Sequence, residues 1–146
     1  MELLPVGKGR QLHEGSDIAV LSIGSIGNEV IKAVKTAEKE GISVAHYDMI
    51  FLKPLDETLL HNIGKRFAHI ITVENGTVIG GLGTAVAEFM CEHGYTPRIK
   101  RIGIPDAFIE HGSIPELFQQ CGMDAESILK AIRQSRKRNE PITEEP

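Results

Sequence analysis

The sequence lacks tryptophan, long apolar runs and any excess of basic residues. Its 146 residues include no Trp and only 5% aromatic residues, and 16 Lys and Arg stand against 20 Asp and Glu, for a net charge of -4. This balance argues against the basic surface on which nucleic-acid binding depends. No window approaches the roughly 18 apolar residues of a membrane span, and the N-terminus lacks the apolar stretch of a signal peptide. We therefore expect a cytoplasmic protein that binds neither nucleic acid nor membrane.

Cysteine is also scarce, and no metal-binding pattern is present. Cys91 and Cys121 lie far apart and match no C-x-x-C motif, so we expect two buried or half-buried thiols rather than a disulfide. The 6 histidines show no H-x-x-x-H spacing, and we predict no metal site. With 41% hydrophobic residues, a chain of this length can build a core without a metal or a disulfide.

Strand-like and helix-like segments alternate along the chain. Short apolar runs predict four strands, at 18–23, 42–48, 69–73 and 98–102. Amphipathic or capped segments predict helices at 26–40, from the cap Asp56 to about Phe67, at 83–92, from the capping box Ser113-x-x-Glu116 to Gly122, and from Ala125 to about Lys137. We interpret 1–16 as an extended lead-in, 17–137 as the domain and 138–146 as a disordered tail. The order of elements is typical of a three-layer α/β/α fold with a mostly parallel sheet.

The glycine-rich loop after the third strand is the best candidate for an anion site. Gly80, Gly81 and Gly83 open a helix, where backbone N–H groups and the helix dipole can hold a phosphate. The spacing departs from a nucleotide motif, because Val86 stands where G-x-G-x-x-G requires glycine and no P-loop lysine follows. Close packing of the loop against a neighbouring surface would also require missing side chains. Both interpretations stay open.

Further polar residues follow strands at the same edge of the sheet. Glu74 ends the third strand and could act as an acid or base if buried, although its position favours a capping or loop-organising role. His111 and Gly112 follow Asp106 closely, and a carboxylate can orient a catalytic histidine. No nucleophile motif accompanies them. We predict no catalytic residue, and we regard seven positions as candidate interface or loop-organising residues: Glu74, Gly80, Gly81, Gly83, Asp106, His111 and Gly112.

Several segments together resemble the C-terminal domain of the transketolase superfamily of thiamine diphosphate enzymes. They are L-P-V-G-K-G-R at 4–10, K-P-L-D at 53–56, V-E-N-G at 73–76 with G-G-L-G at 80–83, and G-I-P-D at 103–106 running into E-H-G at 110–112. The K-P-L-D and G-G-x-G pieces are shared with the beta subunits of pyruvate dehydrogenase-type enzymes. The G-K-G-R and I-P-D-x-F-I-E-H-G stretches favour the 1-deoxy-D-xylulose-5-phosphate synthase family. The resemblance implies a five-stranded mixed sheet with one antiparallel strand, the fifth strand lying within 51–53 or 9–12.

The resemblance also implies a function for a larger parent protein. Such a transferase decarboxylates pyruvate on thiamine diphosphate with Mg²⁺ and joins the two-carbon unit to D-glyceraldehyde 3-phosphate, for isoprenoid and thiamine biosynthesis. The chain has no Gly-Asp-Gly motif for the cofactor, and the family's activating glutamate belongs to the middle domain. We therefore expect no cofactor in this chain, no activity of the isolated fragment, and as partners the N-terminal and middle domains and the second subunit of a homodimer.

Two alternatives to this reading stay open. The chain could be a split transketolase-like or 2-oxoacid dehydrogenase beta-type subunit, which would associate with partner chains that supply the cofactor site. It could also be a free-standing module that binds a phosphorylated metabolite through the loop from Gly80 to Thr84.

Overall fold

Strands and helices alternate throughout the parts of the chain that the computed structural model describes, residues 8–50, 55–77, 81–104 and 123–139. The strands are β1 (Arg10–His13), β2 (Ile18–Ile23), β3 (Val44–Asp48), β4 (His69–Thr77) and β5 (Arg98–Ile104). The helices are α1 (Gly27–Lys39), α2 (Glu57–Arg66), α3 (Leu82–Glu92) and α4 (Ala125–Asn139). The helix expected at 113–122 lies outside the described residues.

The strands form one mixed sheet in the order β1-β3-β2-β4-β5. β1 runs antiparallel to β3, and the other neighbouring pairs are parallel. The predicted fold class is confirmed, and the fifth strand lies at the second of its two expected places. Because β1 is an edge strand whose side chains are mostly exposed, its sequence RQLH carries no hydrophobic pattern that would have located it.

Helices cover both faces of this sheet. One hydrophobic cluster joins the sheet to α1 and α4, and a second joins its opposite face to α2 and α3. β2 contributes to both, and its residues Ile18, Ala19, Val20 and Leu21 are each 0% exposed. This burial on both faces accounts for the continuous apolar run that marked β2 in the sequence.

The described ends of two helices carry the caps that the sequence predicted. The carboxylate of Asp56 accepts a hydrogen bond from the Leu59 N–H at 3.1 Å at the start of α2, and that of Asp124 accepts one from Ser127 N–H at 3.3 Å at the start of α4. Gly41, with a φ of +81°, follows α1. The Ile42 N–H then donates back to the Ala37 carbonyl at 3.0 Å, so Ile42 belongs to the helix end and β3 begins later than predicted.

Asp56 also joins two sequence motifs. Its second carboxylate oxygen accepts a hydrogen bond from Gly9 N–H at 2.9 Å, which ties the G-K-G-R segment to the K-P-L-D segment. A Cβ atom on Gly9 would lie 2.8 Å from Leu59 Cδ2 and 3.1 Å from the Asp48 carbonyl oxygen. Glycine at this position therefore lets the N-terminal segment reach the cap of α2.

Two composition-based expectations can be compared with the structure. Cys91 is exposed, so the prediction of a buried or half-buried thiol is wrong for this residue; it lies on the solvent side of α3. Cys121 lies outside the described residues. Within the described ranges, none of the helices is long and apolar enough to cross a membrane.

A buried polar pair lies inside the cluster under α1. Ser22 Oγ and His46 Nε2 are 2.8 Å apart, and the two residues are 1% and 0% exposed. Desolvation lowers the pKa of His46 to about 4, with a smaller opposing effect of Asp48 and a smaller lowering effect of His13. The imidazole is therefore neutral at physiological pH.

This burial predicts that the protein loses stability as the pH falls. An unfolded histidine with an ordinary pKa of 6.5 takes up a proton before the folded one does, so the free energy of unfolding should fall as pH falls from about 6.5 to about 4, by about 3 kcal/mol. Urea denaturation across this range measures the effect. His46→Gln should remove most of this slope, whereas His93→Gln, at an exposed position, should keep it. A slope that is equal in wild type and His46→Gln would contradict the assignment.

Candidate functional site

Glu74 lies against the first turn of α3, from within β4 rather than after it, because the strand continues to Thr77, beyond the end predicted at 73. Glu74 is 5% exposed, and its two carboxylate oxygens accept hydrogen bonds from the backbone N–H groups of Leu82 and Gly83, each at 2.9 Å. The first amides of a helix have no partner within the helix, and the positive end of the helix dipole attracts a negative charge. The Glu74 side chain provides these amides with hydrogen-bond acceptors and places a carboxylate at the positive end of the helix dipole.

This contact decides what the glycine loop can bind. The two N–H groups that a phosphate would use are already bonded to a buried carboxylate. A phosphate at this position would have to displace Glu74 and leave its charge buried, which is costly. At the amides of Leu82 and Gly83, the geometry therefore favours capping by Glu74 over an anion site.

Gly83 lets α3 approach the sheet closely. A Cβ atom at this position would lie 2.7 Å from both Thr72 Oγ1 on β4 and Arg101 Cγ on β5. Arg101 Nη1 lies 3.4 Å from Thr84 Oγ1 in the same first turn of α3. The absence of a side chain at Gly83 thus permits the close packing of α3 on the sheet.

The structure describes only some of the candidate residues. Glu74, Gly81 and Gly83 meet at the start of α3, where Gly81 is the N-terminal cap with an extended backbone (φ -95°, ψ -155°). Gly80 lies outside the described residues, as does the segment 105–122 that contains Asp106, His111 and Gly112. Their interface or loop-organising role stays a prediction.

The described residues do not fit a thiamine diphosphate–magnesium site. Among them, no group of three or more His, Cys, Asp and Glu side chains could hold a metal ion. At the start of α3, the backbone donors suited to a diphosphate are already bonded to Glu74. We therefore derive no catalytic step through this cofactor in this chain.

Sequence reasoning missed two polar contacts. The Gly9–Asp56 hydrogen bond joins residues 47 positions apart, and no local pattern predicts such a pairing. The Ser22–His46 pair had a signal, since a serine and a histidine each interrupt an otherwise apolar strand segment. Buried polar groups in such segments usually find hydrogen-bond partners.

Comparison with known proteins identifies the family. The pattern described as "Transketolase, C-terminal domain" matches residues 7–128. The chain belongs to this family. As a transketolase C-terminal domain, it is 67% identical over 133 residues to 1-deoxy-D-xylulose-5-phosphate synthase of Parabacteroides distasonis, covering 91% of this chain and 21% of that protein. The same-named protein of Bacteroides thetaiotaomicron is 59% identical, with 90% and 21% covered. The chain thus spans about a fifth of the length of these relatives.

Solved structures agree with the transketolase C-terminal domain assignment. A chain titled "Split gene transketolase, inactive beta4 tetramer" is 33% identical with a TM-score of 0.83, covering 92% of this chain and 44% of that one. A transketolase from Pichia stipitis has a TM-score of 0.68 at 18% identity, covering 90% and 18%, and so shows the shared fold alone. The resemblance stated from the motifs is confirmed.

The Glu74 contact predicts a large effect of removing this carboxylate. Glu74→Ala leaves two helix amides without their acceptor and should lower the free energy of unfolding by about 3 kcal/mol, and Glu74→Gln by roughly half as much. Glu57→Gln is the matched control, because Glu57 lies exposed in the first turn of α2 and should cost less than about 0.5 kcal/mol. Chemical denaturation measures all three. Glu74 variants as stable as the Glu57 control would contradict the proposed role.

Proposed function

We propose that this chain is the C-terminal domain of a 1-deoxy-D-xylulose-5-phosphate synthase. The observation that carries the proposal is the 67% identity to a protein of that name across 91% of the chain. The whole protein would condense pyruvate with D-glyceraldehyde 3-phosphate, with loss of CO₂, in the cytoplasm and in the service of isoprenoid and thiamine biosynthesis. Thiamine diphosphate and Mg²⁺ would be held by its other domains.

Within that protein, the domain has a structural rather than a catalytic role. Two titratable side chains in the described part of the chain that look like catalytic groups are used internally, since Glu74 is bonded to the start of α3 and His46 is buried against Ser22. A buried group that is bonded within the domain does not reach a substrate in a neighbouring domain. We assign to the domain packing against the N-terminal and middle domains and contacts across a homodimer.

We also propose that the domain extends beyond the limits 17–137 expected from the sequence. β1 pairs with β3 and Gly9 is bonded to Asp56, so the domain includes the described part of the lead-in from residue 8. At the other end, Arg133 on α4 makes a two-point ion pair with Glu40, with distances of 2.8 and 2.6 Å. The tail proposed for 138–146 begins within the last turns of α4.

An activity assay tests this division of roles. The purified 146-residue chain, supplied with thiamine diphosphate, Mg²⁺, pyruvate and D-glyceraldehyde 3-phosphate, should release no CO₂ above the enzyme-free rate. The whole synthase that contains it should be active under the same conditions. Circular dichroism of the chain must show native helix content, so that inactivity does not reflect misfolding. Turnover by the 146 residues alone would refute the proposal.

A variant of the whole synthase tests whether Glu74 has a structural rather than a catalytic role. Glu74→Gln should lower the melting temperature, because it weakens the start of α3, and should leave kcat and KM for pyruvate within about threefold of wild type when assayed well below that temperature. Glu57→Gln should change neither. A kcat reduced by about a hundredfold or more at an unchanged melting temperature would instead place Glu74 in the catalytic machinery.

A split subunit is the second candidate. The observation in its favour is the solved chain titled "Split gene transketolase", to which this chain is 33% identical. An antibody against this chain distinguishes the two in the source organism. A single band several times larger than this chain supports the multidomain synthase. A band of the chain's own size, with a copurifying protein that carries a Gly-Asp-Gly motif, supports the split subunit.

The phosphometabolite-binding module is disfavoured by the Glu74 contact. It would gain support if inorganic phosphate bound at the loop from Gly80 to Thr84 and if a bulky residue at Gly81 abolished that binding. Isothermal titration calorimetry of phosphate into the wild type and into Gly81→Leu shows whether the loop binds phosphate. We expect no saturable heat from either protein.

A further inference from the structure

Two exposed cations lie on the same face of the edge strand β5. They are Arg98 and Lys100, and they share their side of the strand with Ile102, because alternate residues of a strand point to the same face. Ile102 is buried in the cluster under α1 and α4, so both cations lie on the face that these helices cover. Within the described residues, no ion pair joins either cation to an acidic side chain.

Helix α4 ends at the same end of the sheet as these cations. Its first residue, Ala125, donates to Glu29 near the start of α1. Farther along, Arg133 pairs with Glu40, which follows the end of α1. The two helices therefore run parallel. Since α1 connects the carboxyl end of β2 to the amino end of β3, α4 also ends at the amino end of the parallel strands, where Arg98 begins β5.

The residues that follow α4 are within reach of this part of β5. α4 contacts β2 and β4, and β5 is the strand next to β4, about 5 Å away. Glu144 follows Asn139, the last residue of α4, by five positions. Five extended residues span about 17 Å, before the lengths of the side chains are added. This length is sufficient to bring Glu144 beside Arg98 or Lys100.

The segment after α4 has the opposite charge. Residues 140–146, which lie outside the described residues, have the sequence E-P-I-T-E-E-P, with three glutamates and no cation. Pro141 lacks an N–H group and restricts the preceding residue to extended conformations, which accounts for the end of α4 at Asn139. An extended acidic segment thus follows a helix that ends near an exposed basic strand.

We propose that the acidic segment 140–146 docks on β5, with Glu144 and Glu145 beside Arg98 and Lys100. Each exposed ion pair contributes little alone, so the docking depends on several charges and weakens with salt. It would cover the start of an edge strand, and proteins commonly protect such strands. In this proposal the segment is ordered at that surface, in contrast to the disorder expected from its composition. The proposal does not depend on the function proposed above.

Paramagnetic relaxation in NMR spectra tests where the segment lies. A nitroxide label is attached at Thr143→Cys in the 146-residue chain with Cys91→Ser and Cys121→Ser. It should broaden the amide signal of Lys100 more than that of Glu57, since α2 begins at the other end of the sheet and packs on its other face. The broadening at Lys100 should fall at least about threefold when NaCl is raised from about 0.02 M to about 1 M. Equal broadening of β5 and α2, or broadening that does not respond to salt, would overturn the proposal.

Charge reversal in the chain with its native cysteines provides the control. The nitrogen-15 order parameter of the Glu144 amide should be above about 0.6 in the wild type at low salt, and below this value in the double variant Arg98→Glu, Lys100→Glu. The double variant Lys32→Glu, Lys65→Glu changes the net charge equally at exposed positions on α1 and α2. It should keep the wild-type order parameter.

A second charge reversal tests whether the two sets of residues interact directly. Glu144→Lys with Glu145→Lys should restore the order of the segment when it is combined with Arg98→Glu and Lys100→Glu. An order parameter that is the same in all these variants would overturn the proposal. That outcome includes a segment held by the cations of α4 instead, and one that becomes ordered only against another domain of a larger protein.

Discussion

The carboxylate of Glu74 accepts hydrogen bonds from two backbone amides of α3. This contact determines how α3 begins at the carboxyl edge of the sheet. In open parallel sheets this edge usually receives the ligand, and the N-terminus of the following helix usually receives its phosphate. Here the chain supplies the anion itself. The contact depends on Gly83, because a side chain there would collide with Thr72 and Arg101 and hold α3 away from the sheet. A motif that resembles a ligand site thus connects β4 to α3 through contacts within the chain.

Further polar contacts join segments that are distant in sequence. Gly9 is bonded to Asp56 at the start of α2, and Ala125 N–H, at the start of α4, donates to the Glu29 carboxylate on α1 at 2.9 Å. Farther along α4, Arg133 donates hydrogen bonds to the Glu40 carboxylate. These bonds are the main reason why the pKa of Glu40 is lowered. The first described segment is therefore hydrogen-bonded to the start of α2, and the last one to α1 on the opposite face of the sheet. This arrangement fixes both described ends of the chain to the rest of the domain.

The sequence was sufficient for most of the architecture because the central strands are buried on both faces. β2 is fully buried along Ile18–Leu21, so its apolar run was unambiguous, and the caps Asp56 and Asp124 fixed the starts of α2 and α4. β1 could not be located from periodicity, because an exposed edge strand with the sequence RQLH has no apolar face. Its place among the possibilities came from the family resemblance.

The candidate site was only partly predictable. The position of Glu74 before a glycine loop indicated a capping role, but the sequence could not say that its carboxylate would reach Leu82 and Gly83, 8 and 9 residues onward. Nor could it distinguish an anion site from close packing, since both require glycine. The structure distinguishes these two interpretations through the lack of space around Gly83 and the burial of Glu74. Both observations depend on how β4, β5 and α3 pack together.

Amide hydrogen exchange at the first turn of α3 tests this account most directly. Amides in the first turn of a helix ordinarily lack a partner and exchange rapidly. If Glu74 holds them as described, the N–H groups of Leu82 and Gly83 should be protected to about the same degree as the amides in the middle of α3. Exchange of these two amides at the rate of an unstructured peptide of the same sequence would contradict the account.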